Sequence, residues 1–587
     1  MHASRRPPRR DSALPYALLG ILLGGGSILA QGRPAPTAPP APTPSGAFIS
    51  RETVTVTNVD VVVEDKKGNR VTGLRKEDFT VLEDGLEQPV TNFFAVEQGH
   101  MTVVGDEPVP PPSTAPAAPV AAPAPAAPSA SPVPVPRTRI VIFVDNLSLT
   151  PFNRNRVLRN VEEWVKSSVK ENVEAMIVVW NRSLKIRRKF TNDGRDLADI
   201  LKQIEGESGN GLQRISGRRD VLQRIDDAQS SGQAIQIARS WAEEQTNDLI
   251  FTLDAIKSTI TQLAGVDGRK IIIHVSEGLP QSPGAEVWKY IQDKFRDTSS
   301  SLTNQFEFDK TPTYLGLIQA ANASGVSLYL FDATGLAVDP NISAESRSSS
   351  TRLDTFTERG NNQSMLQLMA EETGGVAVLN RNDVTLELKQ IERDYTSYYS
   401  IGYRSLRSGL DRPHKLEVKV KRKGVAVRTR RSYVEKGLET RTVEAVMSGL
   451  FFVRDDNPLA VGLEVGHAVP SDSGNFQVPV RIRIPYSRIA MLPDGPKVRG
   501  RLTFYFVVMD SDEKKSELTT QTKMLELDAK RFDELQKKDF IYDVTLLMIP
   551  GRQRLSFAVR DETTTTTSYL QKNVFVSVFS GEDRPRK

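Results

Sequence analysis

A chain of 587 residues is too long for one hydrophobic core, and at roughly 150 residues per domain it divides into three or four. Its 77 basic and 72 acidic side chains nearly cancel, and +3 of the net +5 sits in the first 30 residues, which speaks against nucleic acid as a partner. The absence of cysteine excludes disulfides, thiolate metal sites and a cysteine nucleophile, and five histidines with no HExxH pair leave little for a zinc hydrolase or a histidine-dependent triad.

Residues 1–30 read as a targeting segment. Arg5, Arg6, Arg9 and Arg10 precede an apolar stretch, Ala13–Ala30, and Leu29-Ala30-Gln31 offers a cleavage point. The stretch is also near bilayer-spanning length, so an uncleaved anchor stands as the alternative. Pro7 and Pro8 weaken Arg5-Arg6 as a twin-arginine signal. The expected location is outside the cytoplasm: periplasm, cell surface or medium.

Two Pro/Ala-rich stretches, 31–47 and 101–136, read as semi-rigid spacers. Between them, 48–100 is expected to form a β module. Val54, Val56, Val59, Val61 and Val63 alternate with polar residues, Phe79–Leu82 ends in the turn Glu83-Asp84-Gly85, and Val90–Val96 supplies a third strand. About 50 residues make a small β unit, so the module is expected to lean on its neighbour.

From 137 to 437 the pattern changes to short, non-alternating apolar runs: Ile140–Val144, Ala175–Val179, Ile271–Val275, Val326–Phe331 and Val376–Leu379. Helical periodicity separates them at 153–169, 249–263, 313–323 and 361–371, which predicts a parallel sheet covered on both faces. The polar segments 206–240, 280–311 and 338–360 read as excursions at the sheet edge or top, the last of them mobile. Strands return at 396–434. There Leu416, Val418 and Val420 oppose Lys415, Glu417, Lys419 and Lys421, as in a charge-protected edge strand, with a basic binding face as the alternative. In 455–580 alternation around Phe476–Ile484, Leu502–Val508 and Leu555–Val559 predicts a β-sandwich, with Pro479 placing its strand at an edge.

Ligands of an open parallel sheet bind beyond the carboxyl ends of its strands. Three predicted ends carry oxygen ligands: Asp145, Ser276-Glu277-Gly278 and Asp332. The order VIFVD, GRKIIIHVSEGLP, ANASGVSLYLFDATGL, AEETGGVAVLNRNDV and YYSIGYRS resembles the VWFA-related family typical of acidobacteria. VDVVVEDKKGNRVTGLRKEDFTVLEDG is similar to that family's N-terminal portion, so the likeness spans about 53–435. It implies a secreted protein with a Rossmann-like von Willebrand A domain and no established enzymatic activity.

Domains of that type hold a divalent cation with Asp-x-Ser-x-Ser, a Thr on a second loop and an Asp on a third, leaving a coordination position for a partner's carboxylate. Carried over here, Asp145 matches the first Asp, but Leu147 and Leu149 stand at the two Ser positions, with Ser148 and Thr150 one place off. Glu277 stands for the third-loop Asp, and Thr246 is the nearest second-loop candidate. The implied metal ligands are thus Asp145, Ser148, Thr246 and Glu277, around Mg²⁺ or Ca²⁺/Mn²⁺. The alternative is a degenerate, metal-free surface on which Asp145 and Glu277 cap helices or bond loop amides. His274 reads as a hydrogen-bonded core residue, and Tyr395, Tyr398, Tyr399 and Tyr403 as packing against the sheet. Asp332 is expected to cap the next turn.

The expected function is binding of a protein partner by an exported, non-enzymatic interaction or adhesion protein. Nucleic acid is not expected as a partner, and the membrane is touched only through an uncleaved anchor. A structural envelope component is the second reading. A serine hydrolase using Ser148 or Ser276 beside Glu277 is the third, and it lacks both a G-x-S-x-G elbow and a nearby histidine in sequence.

Overall fold

Five apolar runs and one mainly basic strand assemble into one mixed sheet: β1 (Thr138–Asp145), β2 (Val173–Trp180), the basic β3 (Leu184–Thr191), β4 (Arg269–Ser276), β5 (Val326–Asp332) and β6 (Val376–Val378). This computed structural model describes residues 56–103, 137–336, 352–405, 411–454, 456–471 and 474–577. The segment expected to direct export, the first spacer and 338–351 of the run 338–360 expected to be mobile lie outside the described residues, as does the second spacer beyond 103. Residues 101–103 end strand His100–Val103, and 352–360 are helical. No described helix is long and apolar enough to cross a membrane.

The strand order is 6-5-4-1-2-3. All neighbours are parallel except β3, which runs antiparallel to β2 and so departs from the all-parallel expectation. Both faces are covered, which is why β1 is apolar without alternation. Ile140, Ile142 and Val144 pack on one side against α1 (Pro151–Ser168), α2 (Gly194–Glu205) and α9 (Thr385–Thr396). Val141 and Phe143 face α4 (Ser231–Leu263), α7 (Thr311–Ser324) and α8 (Arg352–Glu372).

The segments read as polar excursions are helical instead. Residues 206–240 contain α3 (Gly211–Asp227) and the start of α4, and 280–311 contain α5 (Ala285–Phe295) and α6 (Thr298–Glu307). They share a satellite core of Val221, Ile225, Trp241, Trp288, Ile291 and Phe308. Among the residues of α3 only Gly211, Val221 and Ile225 are buried, too sparse a stripe to register against its charged residues.

The β module is larger than 48–100. Strand Val56–Asp65 pairs with Tyr398–Arg404 and with Val425–Arg428, while Phe79–Glu83 pairs with Pro413–Val420. Segments on either side of the α/β layer therefore build one body, whose core joins Val61, Phe79, Phe93, Tyr399, Tyr403 and Leu416. The boundary drawn between a 48–100 module and a 137–437 domain is corrected accordingly: fifty residues alone leave too much apolar surface wet. Pro413–Val420 is also no edge strand, because Ser432–Val434 and Phe79–Glu83 flank it; its lysines simply face solvent. Tyr399 and Tyr403 pack in the core as expected.

A buried ion cluster fastens this module to the layer. The fully buried Asp394 accepts two 2.7 Å bonds from Arg428, one from the Tyr329 hydroxyl and one from Arg70.

Beyond α10 (Leu438–Ser448) two antiparallel sheets share one apolar core, formed by Phe476–Pro485 with its neighbours and Lys497–Met509 with its own. Pro479 does not mark an edge. Its strand is paired with Asp539–Met548 on one side and with Gly462–Val465 and Val469–Pro470 on the other. The Pro479 carbonyl accepts from Gly466 N at 2.8 Å, so its missing N–H falls in the gap between those short strands, where no ladder bond is required.

Candidate functional site

The strand order reverses between β1 and β4, so a crevice opens where their carboxyl ends diverge. Asp145 ends β1 and Glu277 follows β4, and the fold brings the two together. Asp145 is 1 % exposed, and its Oδ1 accepts from Leu147 N at 3.1 Å and Ser148 N at 3.3 Å. Burial pushes its carboxyl up to about 6, against the pull of Ser148 and of the Arg214 charge. Ser148 Oγ joins the loops, donating to Asp145 O and accepting from Glu277 N at 3.2 Å. Glu277 Oε1 accepts from Thr150 N at 2.8 Å, from the Thr150 hydroxyl and from Asn153 Nδ2 at 2.9 Å. A carboxylate at the first turn of α1 also complements the helix dipole.

Thr246 does not join them. It lies inside α4, buried, with no hydrogen-bond partner for its hydroxyl among the described residues, and the loop placement is corrected. The polar stretch around it continues a helix that began fifteen residues earlier, at Ser231, and a helix-interior Thr cannot act as a loop ligand. The loop that does reach β1 is 207–211. Asn210 N donates to Asn146 O at 2.9 Å and Gly211 N to Leu149 O at 3.1 Å. A Cβ on Gly211 would come within 2.6 Å of the Leu149 carbonyl carbon, so only glycine fits there. Ser208-Gly209-Asn210-Gly211 was the available signal, hidden in a segment dismissed as polar.

From the first turn of α3, Arg214 reaches to 3.9 Å from Glu277 Oε2. It also lines a cavity of about 190 Å³ with Asp145, Ser148, Arg182, Trp241 and Asp248. A neighbouring cavity of about 230 Å³ is lined by Arg214, Arg218, Glu277, Glu286, Glu358 and Asn362. Glu286 is pushed up by burial and then by the Glu358 charge. Asp332 caps the next turn as expected, accepting from Thr334 N at 3.0 Å and from Gln363 Nε2 at 2.6 Å. Ser276 is buried with its hydroxyl unpartnered among the described residues, and no imidazole bonds either it or Ser148.

His274 is a core residue beside Phe143, ring centroids 5.3 Å apart, but it is not hydrogen-bonded: neither ring nitrogen has a partner among the described residues. Burial alone lowers its pKa to about 3. The unfolded chain therefore binds the extra proton below about 6.5, and stability falls as pH drops from there toward 3, by about 1.4 kcal/mol per unit from this group. Asp145 acts with the opposite sign: its raised pKa makes its contribution greatest below about 3.8, fading as pH climbs to 6. Urea unfolding of His274→Phe between pH 4 and 7 should gain on the wild type by that slope below 6.5. A pH-independent difference would mean that the folded imidazole is charged or solvated.

No family model matches the chain, and no curated protein matches it. Solved structures resembling it include an aerotolerance-related membrane protein from Bacteroides fragilis, 14% identical over 44% of this chain and 98% of that one, with a TM-score of 0.22. BatB from Bacteroides thetaiotaomicron matches at 14% identity over 44% of this chain and 96% of its own, also at 0.22. The PilB minor pilin of Streptococcus sanguinis matches at 12% identity over 45% and 63%, again at 0.22. Likeness this slight carries no argument about what the chain does.

Proposed function

We propose that the six-stranded layer is a von Willebrand A-like domain, that the C-terminal sheets form a β-sandwich, and that the chain is an exported interaction protein. Its carboxyl rim would hold a protein partner without catalysing a reaction and without a bound cation. Strand order 6-5-4-1-2-3 with β3 reversed supports the domain reading. One observation carries the site reading: Arg214 brings its guanidinium to 3.9 Å from the Glu277 carboxylate, and its charge also pulls on Asp145, supplying the positive charge that a cation would otherwise provide. The Asp145 carboxylate is meanwhile committed to its own loop amides, as a cap is.

The cavity wall carries Asp145, Glu244 and Asp248 beside Arg182 and Arg214, and Arg182 lies 3.5 Å from Asp248, so Arg214 is the group that would receive an acidic side chain of the partner. Panning a displayed peptide library on the purified chain should enrich sequences bearing Asp or Glu. Their binding should survive EDTA and fall at least about tenfold in Arg214→Glu. Binding that vanishes on chelation, or Mg²⁺ retained by the wild type and lost in Asp145→Ala, would overturn the cation-free version. The hydroxyls of Ser148 and Thr150, both at Glu277, would then be its ligands.

A further inference from the structure

In the β module three metal-type donors converge from two strands far apart in sequence. Glu83 closes strand Phe79–Glu83, Asp84 begins the following turn, and His414 lies in Pro413–Val420, which pairs with that strand. Among the described residues this is the one place where three His, Asp or Glu donor atoms lie within 4.8 Å of one another. His414 Nδ1 is 2.9 Å from Asp84 Oδ2 and 3.5 Å from Glu83 Oε1. Donors about 2.0–2.2 Å from a common ion are spaced about 3.0–3.5 Å apart in octahedral or tetrahedral geometry, so these separations suit one shared ion.

The surroundings point the same way. Glu83 and His414 are each 4 % exposed. Ser405 serves Glu83 Oε1 at 3.0 Å, but Glu83 Oε2 is buried with no hydrogen-bond partner among the described residues. A second buried carboxyl, Glu435, follows strand Ser432–Val434, which pairs with Pro413–Lys415. Buried carboxylates without a matching cation are costly, and one ion pair to His414 would still leave Glu83 Oε2 unsatisfied.

We propose that His414 Nδ1, Asp84 Oδ2 and both oxygens of the Glu83 carboxylate bind a divalent transition-metal ion of the zinc type. A mixed imidazole and carboxylate set suits such ions better than Ca²⁺ or Mg²⁺. Lys415 N holds Asp84 Oδ1 at 2.9 Å, leaving Oδ2 directed at the imidazole. The ion clips together strands more than 300 residues apart in sequence, so its effect is on the stability of the module.

The test uses the full chain, stripped with chelator and titrated with Zn²⁺ alone by calorimetry. One equivalent should bind at micromolar strength or tighter and raise the thermal midpoint. His414→Ala should abolish both effects, and Asp145→Ala should change neither, which separates this site from the rim. Asp84→Asn, at a side chain about one-third exposed, provides a variant less prone to misfold, and should weaken Zn²⁺ binding at least about tenfold. Absence of Zn²⁺ binding by the wild type up to about 1 mM would overturn the proposal. So would His414→Ala or Asp84→Asn titrating like the wild type.

Discussion

Replacing Asp394 with Ala should destabilise the chain by about 3–5 kcal/mol. Its carboxylate is fully buried and receives both Nη atoms of Arg428, an Arg70 Nη and the Tyr329 hydroxyl. Removing it strands two mostly buried guanidiniums, with Glu64 the remaining nearby acid, 3.9 Å from Arg428. Tyr329→Phe deletes one bond to the same charge and should cost less, about 1.5–3 kcal/mol. Arg70 and Arg428 belong to the β module and Tyr329 to β5, so the cooperative unit joining them should melt first in a denaturant series. A loss below about 1 kcal/mol would show that Glu64 alone neutralises both arginines.

Trp288→Ala should cost a comparable amount, about 3–5 kcal/mol, but locally. The indole is fully buried among Val287, Ile291, Phe308 and the helices over the rim, its ring 6.0 Å from that of Phe308. Its Nε1 has no hydrogen-bond partner among the described residues, so Trp288→Phe removes an unsatisfied donor and should cost less than about 1.5 kcal/mol. Hydrogen exchange should show α3 and α5 losing protection in Trp288→Ala while β1 and β4 keep theirs. Uniform loss of protection would make the helical cap part of the main core. Because α3 carries Arg214, the same variant should loosen the rim cavity.

The sheet was legible because strands buried on both faces need continuous apolar runs, and Ile140–Val144, Ile271–Val275 and Val326–Phe331 have them. Asp145 and Glu277 could be placed for the same reason: a polar residue ending such a run lies at the carboxyl rim. Arg214 could not, since it sits on a helix whose few apolar positions were outweighed by charge, and Thr246 was misplaced because its helix begins far upstream. The meeting of Glu83 with His414 was invisible for a different reason. Local periodicity says which face a strand buries, but not which strand hundreds of residues away will pair with it. The same blindness assigned Pro413–Val420 and Pro479 to edges.

The pairing of Val56–Asp65 with Tyr398–Arg404 has a consequence for biogenesis. Synthesis delivers the first strand more than 300 residues before its partner, an interval on the order of tens of seconds at ribosomal speed. Throughout that wait its backbone amides are open to any stray β-strand, so a holding chaperone is most needed before the α/β layer is finished. Once complete, the ladder joins the segments that precede and follow that layer in sequence, and a nick anywhere from 104 to 136 would leave the severed pieces still zipped together.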